Sequence, residues 1–166
     1  MTGPNAVPEL VDGCLASPIL RSRLDEPTCD RAKRAVWARA ADLGPLEGEC
    51  RLVHCDFNNR NVLVRSERRR WQVAAVLDWE YAVSGSPLVD VGSFFPYATE
   101  DNPSLEPRFS RGYERGGGHL PSDWRRLARL VDLANLGELM AEPDVPHEIV
   151  VEVCNHVRMT IRPSPS

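Results

Sequence analysis

The feature that most constrains this chain is a pair of apolar runs, Val62 to Arg65 and Gln72 to Leu77, joined by the polar link Ser66-Glu67-Arg68-Arg69-Arg70. Strand-forming runs separated by so short a link predict an antiparallel hairpin. Both runs are apolar at nearly every position rather than at alternate ones. Both faces of the hairpin are therefore expected to be covered by the rest of the protein.

What flanks the hairpin carries the chemistry. A short strand begins at Leu52-Val53-His54, and the polar loop His54-Cys55-Asp56-Phe57-Asn58-Asn59-Arg60-Asn61 leads from it into Val62. The second run ends in Leu77-Asp78-Trp79-Glu80, with Asp78 seventeen positions after Asn61. Across an antiparallel ladder the start of one strand faces the end of the next, with Cα atoms about 4.5 to 5.5 Å apart. Asn61 and Asp78 are therefore expected side by side, with Asp56 one loop away on the same edge. Two carboxylates and an amide oxygen suit Mg²⁺, which takes oxygen ligands together with phosphate and water. Phosphoryl transfer uses such a set: one aspartate orients or deprotonates the attacking hydroxyl, while an asparagine and a second aspartate hold the metal. Asp56 fits the first role, Asn61 and Asp78 the second.

The remaining pattern is helical. Residues 1–26 read only weakly as helix. Ala32, Ala35 and Val36 predict a helix from Asp30 to Leu43, capped by Thr28 or Asp30 and stopped by Gly44-Pro45. After Asp78 a turn at Ser84-Gly85-Ser86-Pro87 leads into a short helix carrying Leu88, Val91, Phe94 and Phe95. Glycines 116–118 form a break. Trp124, Leu127, Ala128, Val131, Ala134 and Leu139 then mark a long amphipathic helix within Ser122 to Ala141, and residues 147–161 give another before the Pro163-Ser164-Pro165 tail. The fold class is α+β, mostly helical, with a small buried hairpin.

Composition narrows the function classes. The 166 residues carry 20 Lys plus Arg against 24 Asp plus Glu and are 42% apolar, which describes a single globular domain rather than a disordered chain. The net charge of −4 gives no drive towards nucleic acid. The longest apolar run, Val73 to Leu77, is far too short to span a membrane, and Pro4, Pro8, Glu9 and Asp12 interrupt any secretion signal. A cytoplasmic protein with reduced cysteines is expected, since the five thiols are odd in number and dispersed. Within the domain, residues 1–29 form a lead-in, 30–98 the catalytic core with the loop 54–61 and the metal motif 78–80, and 99–166 a helical substrate-side part.

The stretch Leu52 to Val64, followed by Val76-Leu77-Asp78-Trp79-Glu80 and by Gly85-Ser86-Pro87-Leu88-Val89-Asp90-Val91-Gly92, resembles the aminoglycoside phosphotransferase family of small-molecule kinases. The resemblance covers roughly Asp30 to Ile161. It implies the C-terminal lobe of a protein-kinase-like fold, ATP or GTP as phosphoryl donor, Mg²⁺, and a small-molecule hydroxyl as acceptor. It also implies Asp56 as the catalytic aspartate, Asn61 and Asp78 as ligands of metal and nucleotide, and His54 and Asp90 as braces of the loop. Cys55 stands where the family usually has glycine or another small residue. The family further needs an N-terminal β lobe with a phosphate-covering loop and a strand lysine. The 53 residues before His54 read as helical, the single lysine is Lys33, and the glycine cluster follows the loop. The implied assignment is thus a C-terminal lobe whose partner, the N-terminal lobe, is missing and which is inactive alone; the alternative is a truncated, non-catalytic kinase-like module without nucleotide grip.

Other residues compete with simpler accounts. Asn135 and Glu138, on or beside the apolar stripe of the 122–141 helix, are candidates for substrate contact. Cys50, His54 and Cys55 lack the second ligand pair a zinc site needs. A metal-assisted hydrolase is less supported because no second histidine falls within the motif. The arginines of the hairpin turn read as a solvated loop.

Overall fold

The computed structural model describes residues 5–47, 50–95 and 104–162. The chain divides into two compact units, Met1–Gly48 with Arg125–Ser166, and Glu49–Trp124. The proline-rich tail at 163–165 and the end of the proposed 30–98 core lie outside the described residues.

The first unit is helical. Helix α1 (Ala6–Leu15) and α2 (Pro18–Arg23) form where the lead-in pattern was weak. The helix expected over 30–43 is instead two, α3 (Glu26–Trp37) and α4 (Ala40–Glu47). The cap is Asp25, not Thr28 or Asp30: its carboxylate accepts from the Thr28 backbone N–H and hydroxyl, both at 2.9 Å. Those two bonds hold the Asp25 carboxyl below its ordinary value, the Thr28 hydroxyl contributing most. Pro27 fits the first turn because its missing N–H has no partner to lose there. Gly44-Pro45 does not end a helix, since α4 continues through Pro45. A proline late in so short a helix forgoes a single backbone bond.

Helix α7 (Trp124–Ala141) and α8 (His147–Thr160) complete this unit. The stripe of α7 is buried at Leu127, Ala128, Val131 and Ala134, but Leu139 is 40% exposed and the neighbouring Met140 takes the core position. Arg23 closes the end of α7 by donating to the carbonyls of Met140 (3.0 Å), Glu142 (2.6 Å) and Pro143 (2.9 Å). A helix's last carbonyls lack intrahelical partners, and the guanidinium satisfies that of Met140 together with two in the turn that follows.

Among the described residues, the second unit carries four strands and two helices. Strand β1 (Arg51–Val53) pairs antiparallel with β4 (Val83–Gly85), Leu52 opposite Ser84. The stretch read as a turn at 84–87 therefore begins as a strand, because Val83 to Gly85 supply the backbone partners that β1 needs. Strands β2 (Val62–Glu67) and β3 (Arg70–Val76) form the expected hairpin, with Val64 opposite Val73 and Ser66 opposite Trp71. Its turn is only Arg68-Arg69, both at positive φ (48° and 63°). The expectation of burial on both faces is overturned: Leu63, Val64, Trp71 and Val73 are between 51% and 75% exposed. A run of apolar residues reports what a strand could bury, not what is there to cover it.

Helix α5 (Leu88–Phe94) follows as expected, and a helix the sequence did not announce, α6 (Leu105–Arg115), comes before the glycines. Helix α6 has no fully buried residue. It is held by ring contacts, Phe109 with Phe94 (5.9 Å) and Phe95 (4.9 Å), and Tyr113 with Phe109 (5.9 Å). The Tyr113 ring lies over Gly118, where a Cβ would stand 2.1 Å from it, so a larger residue there would displace the ring.

Candidate active site

The loop between β1 and β2 is pinned from below by α5. Asp90, in the first turn of α5, accepts from the His54 backbone N–H with both carboxylate oxygens (3.0 and 2.9 Å) and from the Cys55 N–H (2.9 Å). Ser93, one turn on, brings its hydroxyl within 3.3 Å of the Phe57 carbonyl. Cys55 sits at φ 68°, in the left-handed region, which accounts for the small residue expected there.

His54 is buried and bridges the loop to the end of β3. Its Nε2 lies 2.7 Å from the Leu77 carbonyl, and its Nδ1 faces the Asp56 N–H at 3.3 Å. A carbonyl can only accept, so Nε2 carries the proton and Nδ1 accepts from Asp56. The Trp79 ring packs against it at 4.7 Å, anchored by an indole bond to the Val76 carbonyl.

Asp56 is held from both sides. Asn58 donates its amide to Oδ1 and Asn61 donates to Oδ2, each at 2.9 Å. Asn61 also donates to the Asp56 backbone carbonyl at 2.9 Å. Because a carboxylate and a carbonyl accept only, the amide nitrogens are the atoms facing Asp56. Asn58 Oδ1 in turn accepts from the Arg60 N–H at 2.9 Å, which fixes the same orientation. Asn61 Oδ1 is left with no hydrogen-bond partner among the described residues.

Asn61 and Asp78 come from adjoining ends of the hairpin. The Asn61 carbonyl accepts from the Leu77 N–H at 2.8 Å, so Leu77 stands opposite Asn61 and Asp78 is the next residue. Asp78 lies at φ 65°, a conformation aspartate tolerates better than most side chains. Its carboxylate makes no hydrogen bond or ion pair among the described residues. Tyr81 reports the charge gathered here: the neighbouring Glu80 carboxylate holds its phenol above the ordinary value, and Asp78 and Asp56 push the same way.

The structure thus brings His54, Asp56, Asn61, Asp78 and Asp90 into one unit. Asn135 and Glu138 lie on α7 in the other unit. Asn135 stands beside the buried Asp132, and Glu138 lines an open cleft with Glu9, Cys14 and Glu142. Sequence reasoning missed Asn58, Ser93 and Tyr81; an Asx residue two positions after Asp56 was the available signal for the first. Among the described residues no three His, Cys, Asp or Glu side chains are grouped to hold a metal, so Cys50, His54 and Cys55 do not form such a centre.

A sequence model of the phosphotransferase enzyme family matches residues 6–130. The match starts well before Asp30, taking in α1 and α2, and stops within α7. No curated protein and no solved structure matches the chain.

Proposed function

Because the chain belongs to the phosphotransferase enzyme family, we propose that it transfers the γ-phosphoryl group of ATP or GTP to a small-molecule hydroxyl, with Asp56 as the catalytic residue. The supporting observation is the double amide clamp on Asp56. One hydrogen bond to each oxygen fixes the plane of the carboxylate and leaves lone pairs on both oxygens for a substrate hydroxyl. Asp56 then orients that hydroxyl and accepts its proton as the oxygen attacks phosphorus.

The donor set at the hairpin end fits Mg²⁺. Asn61 spends its amide nitrogen on Asp56 and keeps its oxygen; Asp78, one residue past the Asn61 partner, keeps its whole carboxylate. Oxygen donors of this kind suit a hard cation. Asn61 and Asp78 would hold it, and when bound it would neutralise charge on the nucleotide phosphates. His54 and Asp90 keep the loop in register with the end of β3.

One observation favours a second reading, a kinase-like module that does not grip nucleotide by itself. The single lysine, Lys33, lies on helix α3 and is already paired with Asp12 at 2.8 Å. In the first reading nucleotide grip comes from an N-terminal β lobe outside these residues. The exposed Leu63 and Leu77, at the site end of the hairpin, offer apolar surface for that lobe or for the base.

The test is transfer of labelled γ-phosphoryl from ATP and from GTP to a panel of amino-sugar, macrocyclic and sugar hydroxyls, by the chain alone and joined to an N-terminal lobe. Transfer that needs both the lobe and Asp56 is the expected result. Transfer that survives Asp56→Asn would overturn the assignment.

A further inference from the structure

The tip of the β2–β3 hairpin is built against local preference. A two-residue turn with positive φ at both positions favours Asn-Gly, because glycine and short polar side chains enter the left-handed region without steric cost. Here both positions are arginine. Together with Arg70 they place three guanidinium groups at the tip, none with a hydrogen bond or ion pair among the described residues. Arg65, by contrast, is already engaged with Glu67 (3.6 Å) and Gln72 (3.4 Å).

The register puts Val64, Val73 and Trp71 on one face of the same ribbon, and Arg65, Gln72 and Arg70 on the other. The apolar face is bare: Trp71 is 75% exposed and Val73 63%. A two-stranded ribbon without cover is marginal in water, so this one gains from a partner. The tip lies some six strand residues from Asn61 and Asp78, about 20 Å at 3.3 Å per residue, and is a separate feature from the catalytic loop.

The complementary surface is in the helical unit. An open cleft of about 600 Å³ is lined by Glu9, Glu138 and Glu142 with Leu10, Gly13 and Ala141. Its three carboxylates likewise make no hydrogen bond or ion pair among the described residues. The Arg68 and Arg69 guanidinium groups at the turn, next to a bare Trp71, are complementary to three carboxylates beside Leu10 and Ala141, in charge and in apolar content, while Arg70 lies on the opposite face of the ribbon.

We propose that the chain self-associates, the Arg68-Arg69 turn and Trp71 of one copy docking in the Glu9, Glu138 and Glu142 cleft of a second copy. The contact closes as an isologous two-fold pair when each tip enters the other's cleft, and is heterologous, propagating as a chain, when it does not. Its attraction is largely between solvated charges and falls with salt, as the Debye length shortens from about 30 Å at 0.01 M to about 8 Å at 0.15 M.

Sedimentation velocity over a hundredfold range of protein concentration, at low and at physiological salt, tests this directly. The wild-type chain is expected to associate with rising concentration, roughly tenfold more weakly at the higher salt. The double variant Arg68→Asn/Arg69→Gly is expected to stay monomeric while unfolding at a higher temperature, which separates lost docking from lost folding. Arg68→Glu/Arg69→Glu and Glu138→Arg/Glu142→Arg are each expected to be monomeric alone and to associate when mixed, because the reversed tip then meets the reversed cleft. A wild-type chain that stays monomeric throughout, or reversed variants that do not associate on mixing, would overturn the proposal. So would a monomeric chain whose tip instead binds phosphatidylserine vesicles.

Discussion

The amide of Asn61 donates to both the backbone carbonyl and the Oδ2 of Asp56, at 2.9 Å in each case, so one side chain ties the end of the 54–61 loop back to its third residue. The bond orients two chemistries at once. It sets the plane of the Asp56 carboxylate and leaves the Asn61 side-chain oxygen uncommitted, on a residue whose backbone carbonyl accepts from the Leu77 N–H at the end of β3, where Asp78 follows. A residue read from sequence as a metal ligand therefore also positions the carboxylate proposed as catalytic.

The division of labour proposed for the two aspartates is open to a direct test in the chain joined to an N-terminal nucleotide-binding lobe. Asp56→Asn keeps size and removes charge, and turnover is expected to fall by about 100- to 10,000-fold, the usual contribution of a positioned general base. Affinity for Mg-nucleotide, measured by calorimetry, is expected to stay within a few-fold. Asp78→Asn is expected to weaken Mg-nucleotide binding as well as turnover. If Asp56→Asn abolished nucleotide binding as strongly as Asp78→Asn, the roles proposed for the two would be wrong.

Asn58 supplies the other half of the clamp. Hydrogen bonds to a charged acceptor contribute about 1.5 to 3 kcal/mol, and each 1.36 kcal/mol is about tenfold in rate. Asn58→Ala is expected to lower kcat by roughly tenfold or more with KM for nucleotide little changed. Asn58→Asp, which keeps the shape but cannot donate as a carboxylate, is expected to lose at least as much. Equal effects on kcat and on nucleotide KM would point to a collapsed loop instead.

Cys55 holds a left-handed backbone conformation, which costs a side chain about 1 to 2 kcal/mol relative to glycine. Glycine has more unfolded-state entropy to lose, about 0.5 to 1 kcal/mol. Cys55→Gly is accordingly expected to raise unfolding stability by about 0.5 kcal/mol in urea titration, whereas Cys55→Val, branched at Cβ, is expected to lower it by more than 1 kcal/mol. A destabilised glycine variant would mean that the Cys55 thiol makes contacts worth more than the strain it introduces.

The hairpin, the loop before it and the order of aspartate and asparagine were legible because spacing alone brings strand ends together. What covers the hairpin was not. Val73 to Leu77 reads identically whether a neighbour is present or absent, and only the fold shows Trp71 and Val73 bare. The long helix was legible from its stripe, yet its most unusual residue, Asp132, was hidden among apolar neighbours. Helix α6 escaped notice because it is held by ring contacts at Phe109 and Tyr113 rather than by a continuous apolar face. The cap at Asp25 and the passage of α4 through Gly44-Pro45 were misread because punctuation residues state a preference that neighbouring packing can override.

Asp132 gives the last prediction, a pH dependence of stability. It lies buried in α7, 5% exposed, and burial pushes its carboxyl from 3.8 up to about 7, with the Asn135 amide pulling weakly the other way. The folded protein therefore keeps the proton between pH 3.8 and about 7, where the unfolded chain has released it. A folded state that binds more protons than the unfolded one loses stability as pH rises, so the contribution is full below pH 3.8 and is lost on approaching and passing pH 7. A gap of about three pH units at 1.36 kcal/mol each makes the swing on the order of 4 kcal/mol. Thermal unfolding followed by the helical circular dichroism signal from pH 5 to 8 is expected to show a falling midpoint. Asp132→Asn, which cannot ionise, is expected to flatten that fall and to be more stable than wild type at pH 8, because it removes the cost of a buried charge. A wild-type profile as flat as the variant's over this range would show that Asp132 is ionised at no cost in the folded protein and that water reaches it.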